Sequence, residues 1–186
     1  MDMNKQLPYL YAFITIACTF LTGQLILCFI PDGTSIWASV FFIFMNLLPM
    51  FLAFVFVRIS GEMSKMGEIV KTAFSPHENW YSYAAALAVP LIYYGVSVLL
   101  GNVTFTGSSF SAVIAYFPWT LLQGGLEEVG WRWYLQTHIK IKKCFVLKML
   151  VISVIWFVWH FPIYRLAWVT AGSSNYLIFF LMILGN

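Results

Sequence analysis

Within the stretch GGLEEVGWRWYLQ, Gly124 to Gln136, two adjacent carboxylates and a guanidinium interrupt a chain that is otherwise mostly apolar. Ionisable groups at membrane depth are costly, and they persist where they pair, face a wet cavity or do chemistry. On a helix Glu128 and Arg132 lie four residues apart on one face, with the glutamate on the N-terminal side, the better order for an ion pair. That pairing occupies Glu128. Glu127 points about 100° away around the helix, and a carboxylate shielded from water beside a like charge is suited to general-base work. The partner such a base needs is a histidine.

Three histidines are available. His77 sits in the polar connector SPHENW and His138 in the basic stretch QTHIKIKK, where a solvated structural role is the plain reading. His160 differs: it closes the apolar run VISVIWFVWHFP, among aromatic residues, and Pro162 just beyond it marks a kink or stop. The basic turn near Lys142 to Cys144 comes about 16 residues after Glu127 and about 17 before His160. In an antiparallel hairpin both therefore reach ~24 Å from the turn, inside a bilayer. A glutamate and a neutral imidazole converging there can deprotonate a water for attack on a peptide carbonyl and then protonate the leaving amine. The alternative stands beside it: Glu128 and Arg132 as a structural ion pair, His160 as a hydrogen-bonded helix-end residue. No HExxH occurs, and a single Glu and His leave zinc short of the three protein ligands usual in a catalytic site, so no metal and no other cofactor is expected.

The elements that must position these residues follow from composition. Of 186 residues, 61% are hydrophobic and 9% charged, against about 25% charged in ordinary soluble domains. The expected fold is all-α, a polytopic transmembrane bundle forming a single membrane-embedded domain over residues 1–186. Apolar runs place spans near Pro8 to Ile30, Ile36 to Val57, Trp80 to Leu100, Phe110 to Gln136 and Phe145 to Phe161. A last run, Tyr176 to Asn186, is 11 residues and would rise only ~17 Å, a partial sixth span. The simplest reading is a sequence that stops partway through a helix.

The first run lacks a small-residue cleavage site and reads as a retained helix. Lys5, Arg58, Lys65, Lys71, Lys140, Lys142, Lys143 and Lys148 fall on one side of alternating spans, which puts the N-terminus in the cytoplasm of a multi-pass cell-membrane protein. The PDGTS turn and the GNVTFTGSS loop then lie outside, and the connector from Arg58 to Asn79 is a cytoplasmic, partly amphipathic link. The net charge of +3 is spread over these loops with no basic stripe, which excludes nucleic acid as a partner. Cys18, Cys28 and Cys144 are odd in number and scattered, so they build no disulfide framework.

The segment EEVGWRWYLQ resembles the first motif, EExxxR, of the CAAX protease and bacteriocin-processing (Abi) family, and WFVWHFP resembles its second, FxxxH, with Trp156 where the family usually has phenylalanine. Two motifs in the right order, covering Gly124 to Pro162, make a specific match. The resemblance implies an intramembrane glutamate-type endopeptidase, with Glu127 as base, His160 as its partner, and Glu128 and Arg132 in support. It also implies a third motif, HxxxN, that stabilises the oxyanion on a later helix; the 186 residues contain none. Trp133 stands where glycine often follows the arginine.

The many tryptophans, Trp80, Trp119 and Trp168 among them, read mostly as interfacial belt and helix packing. Trp131, Trp156 and Trp159, close to the motif residues, could instead line an apolar substrate groove. Pro49, Pro90 and Pro118 read as kinks, and Gly124 and Gly125 as positions of close helix packing. Three functions follow: an endopeptidase acting on prenylated, lipophilic or membrane-protein substrates, a non-enzymatic immunity or scaffold protein of the same family, and a small transporter using Glu127 and Glu128 as a proton relay.

Overall fold

The structure, a computed structural model, describes residues 3–30, 33–75, 79–101, 110–141 and 144–166. His77, Lys142, Lys143, Trp168, most of the GNVTFTGSS loop and the run from Tyr176 onward lie outside the described residues. All regular structure among the described residues is helical. The chain divides into two units, Met1–Ala73 with Trp119–Asn186, and Phe74–Pro118.

In the first unit α1 (Met3–Phe29) and α2 (Ile36–Ile59) are long apolar rods. Ser35 starts α2 by accepting a hydrogen bond from the Trp37 amide, satisfying one of the donors that every helix N-terminus leaves open. Gly61, at φ 78°, turns the chain away after the helix in a conformation that costs glycine least. A short helix, α3 (Met66–Phe74), follows and buries Ile69. The last described helix, α7 (Phe145–Tyr164), packs on α1, and α1 in turn packs on α2.

In lipid, apolar burial does not itself drive helices together, so close packing and internal hydrogen bonding must. Both are present. Thr15, Thr22 and Asn46 return their side-chain donors to carbonyls one turn back, at Tyr11, Cys18 and Phe42, over 2.7 to 2.9 Å. Gly23 lets α1 meet α7 closely: a Cβ there would lie 2.9 Å from that of Pro162. Tyr11 is the centre of an aromatic cluster, edge-on to Phe56, Trp131 and Tyr134.

The second unit holds α4 (Trp80–Leu99) and most of α5 (Phe110–Thr120). No residue of α4 is buried, and Leu87, Val89, Leu91 and Tyr93 are all well exposed, as expected of a span apolar on every side.

Four helices among the described residues are long and apolar enough to cross a membrane: Gln6–Phe29, Ile36–Ile59, Trp80–Leu99 and Phe145–Tyr164. The expected fifth span, Phe110 to Gln136, is a different object. After α5, two π-helical segments, π1 (Leu121–Gly125) and π2 (Val129–Leu135), lead into a terminal turn, α6 (Gln136–His138). The amide of Leu126 bonds to the Leu121 carbonyl and that of Gln136 to Trp131, five residues back rather than four. Pro118 supplies no amide to the ladder and Gly124–Gly125 hold a helix weakly, so the regular pattern gives way there. By contrast α2 continues through Pro49 and α4 through Pro90.

At one end of the first unit, His138 meets Glu62. Its Nε2 lies 2.9 and 3.0 Å from the two carboxylate oxygens. Two basic stretches, around Arg58–Lys65 and around Lys140, are thereby held at the same end of the bundle.

Candidate active site

Glu127 and Glu128 occupy the short α-helical turn between π1 and π2. π-Helical turns are rare and concentrate at functional sites, where the extra residue re-aims side chains. Glu127 is directed inward and is 5% exposed. Glu128 stays nearer the surface and accepts from Arg132 Nε at Oε2 over 3.0 Å, the expected ion pair.

Positioning of this segment depends on Gly130. A Cβ at that position would collide with the Tyr11 hydroxyl and with the backbone of Pro49. Tyr11 donates to the Pro49 carbonyl over 2.9 Å, so α1, α2 and π2 converge on one contact three residues from Glu127. Gly124, by contrast, has open space where a Cβ would go, and a Cβ on Gly125 would touch only Leu121. The close-packing glycine of the motif is Gly130, not the Gly124–Gly125 pair. Its place inside EEVGWR was the available signal.

His160 is carried by α7 near its end. Its Nδ1 lies 2.8 Å from the Trp156 carbonyl, which can only accept, so Nδ1 bears the hydrogen and Nε2 is the basic nitrogen of the neutral ring. The preceding residue, Trp159, locks the helix's rotation by donating its indole N–H to Thr19 of α1 over 2.9 Å, in the core. Pro162, two residues on, seats against Gly23. Neither Thr19 nor Gly23 carries a sequence signal of this role.

Trp156 brings the two motifs together. The Arg132 guanidinium sits 5.7 Å from the centre of its ring, and the His160 ring meets it edge-on at 5.0 Å. Its indole Nε1 is buried, with no partner in hydrogen-bond geometry among the described residues. Arg132 and His160 thus lie against one side chain.

The expected groove of three tryptophans is not formed. Trp131 and Trp159 are 1% and 0% exposed, packed edge-to-face at 5.5 Å within the core that includes Tyr11. Only Trp156, partly exposed, keeps a peripheral position. The reason is phase: Trp131 faces Tyr11 across the Gly130 contact, and Trp159 is drawn inward by Thr19. Among the described residues no group of three or more His, Cys, Asp or Glu side chains is arranged to hold a metal.

A family model for type II CAAX prenyl endopeptidase Rce1-like proteins matches residues 107–185, from the approach to α5 through both motifs. No curated protein and no solved structure matches the chain. An all-helical membrane protein with EExxxR and FxxxH-like motifs in order, it is similar over residues 107–185 to the Rce1-like type II CAAX prenyl endopeptidases.

Proposed function

We propose that the protein is a membrane-embedded endopeptidase in which Glu127 and His160 activate water to cleave a peptide bond of a prenylated, lipophilic or membrane-associated substrate. The observation that carries this reading is the burial of Glu127 on a π-interrupted helix in the matched segment, with Arg132 of the same motif and His160 of the other against one tryptophan. Glu127 removes a proton from water as its oxygen bonds to the carbonyl carbon. His160, held as the Nδ1–H tautomer, orients that water through Nε2. The tetrahedral oxyanion then collapses, the proton passes to the leaving nitrogen, and the C–N bond breaks to give a carboxylic acid and an amine. Glu128 and Arg132 support the site as an ion pair, and the chemistry requires no metal. The basic end of the bundle faces the cytoplasm of the cell membrane, with the N-terminus on that side.

Cleavage of a farnesylated CAAX peptide by the purified protein in lipid tests the reading. Glu127→Ala and His160→Ala should each reduce cleavage to background at unchanged protein level; cleavage that survives both would rule the pair out.

A second reading is a non-enzymatic immunity or scaffold protein of the same family. Binding of a peptide with no turnover, unaffected by Glu127→Gln, would select it.

A further inference from the structure

The short helix α3, Met66–Phe74, has an apolar side wider than the protein uses. At about 100° per residue, Ile69, Ala73, Met66, Val70 and Phe74 fill one continuous arc of about 140°. Ile69 is fully buried and Ala73 packs against the same core. Met66, Val70 and Phe74, spaced i, i+4, i+8, are all exposed. The charges are sorted in the same phase. Lys71 borders the exposed stripe, Lys65, the residue before the helix, borders the buried edge, and Glu68 lies midway around the polar side. A lysine beside an apolar arc can lay its methylenes along it while the ammonium stays at headgroup level.

Position in the chain says what covers the stripe. α2 has 24 residues, a rise of ~36 Å that exceeds the ~30 Å hydrocarbon core of a bilayer. It ends at Ile59, itself an exposed apolar residue, and α3 begins at Met66, so the short helix starts where the span leaves the lipid. Arg58 in the last turn of α2, and Lys140, held at this end by the contact of His138 with Glu62, add positive charge there. We propose that α3 is an interfacial anchor: Met66, Val70 and Phe74 sink into the boundary of the bilayer, and Lys71 with its basic neighbours engages the phosphates of anionic phospholipid. This holds whether or not the protein is an endopeptidase, since it requires only that α2 crosses the membrane.

Nitroxide accessibility of the full chain in lipid nanodiscs tests the anchor. With Cys18, Cys28 and Cys144 replaced by alanine, a label at Val70→Cys should meet oxygen, which concentrates in lipid, more readily than a water-soluble nickel chelate. A label at Glu68→Cys should show the reverse. A Val70 label that meets nickel as freely as the Glu68 label overturns the proposal, and so does one shielded from both reagents, the mark of a protein partner or a second copy of the chain. The wild-type chain gives a second readout that needs no substitution. Amide hydrogen exchange of α3 should be about fivefold slower or more in nanodiscs containing phosphatidylglycerol than in phosphatidylcholine alone, the effect of one surface lysine. The difference should shrink at high salt and vanish in Lys65→Gln with Lys71→Gln. Equal exchange of the wild type in the two lipids overturns the phosphate contact, as does a difference that survives both lysine substitutions.

Discussion

Tyr11 donates its hydroxyl hydrogen to the carbonyl of Pro49 over 2.9 Å, and Gly130 is pressed against both partners. Three helical elements share that point, with no room between them for one further carbon. Gly130→Ala should therefore be strongly destabilising, by about 1–3 kcal/mol or more, because part of what the methyl meets is backbone. Gly124→Ala, where nothing lies within 4 Å of the added carbon, should be neutral or stabilising by up to ~1 kcal/mol. Thermal unfolding of the two variants in one detergent would show the contrast. Equal melting temperatures would mean the Gly130 contact is looser than described.

The indole of Trp159 and the hydroxyl of Thr19 form a buried bond between α7 and α1. Trp159→Phe and Thr19→Val should each cost about 1–3 kcal/mol by leaving the other partner unsatisfied. The double variant should cost clearly less than the two together. Strict additivity in unfolding experiments would show that the two side chains do not depend on each other.

His138 links α6 to the loop after α2 through Glu62, with Nδ1 turned to the Tyr134 carbonyl at 2.7 Å. The pair is partly exposed, so a double-mutant cycle with Glu62→Gln and His138→Gln should give a coupling of about 0–1 kcal/mol. That coupling should shrink as salt is raised. A large, salt-insensitive coupling would show the pair to be shielded from water.

Arg132 bonds Glu128 through Nε and lies over the Trp156 ring. Lysine keeps the charge but neither the planar cover nor the Nε donor. Arg132→Lys should change stability by less than ~1 kcal/mol while lowering cleavage about tenfold, some 1.4 kcal/mol in the barrier. Full activity in the lysine variant would reduce Arg132 to a mere charge.

Much of this was legible in one dimension. The long apolar runs gave α1, α2, α4 and α7 within a few residues, because lipid demands length and apolarity and both are local properties. The i, i+4 spacing of Glu128 and Arg132 gave their ion pair, since that geometry lies within a single helix. The extra span over Phe110 to Gln136 was miscounted because hydropathy reports polarity and not the hydrogen-bond ladder, which here slips to a five-residue step at Leu126 and again at Gln136.

By itself, then, the sequence determined an all-helical membrane protein and the two motifs that carry its resemblance to a family, since composition and spacing survive any rearrangement of the chain in space. Tertiary structure alone decided that Gly130 is the point of closest packing, that Trp131 and Trp159 belong to the core, and that Trp156 lies against both Arg132 and His160. The physical reason is rotational phase. Each π turn inserts a residue and rotates everything after it relative to a regular helix, so which face of the motif meets α1, α2 or α7 is set by contacts such as Tyr11 with Pro49 and Trp159 with Thr19, made across 38 and 140 residues of chain.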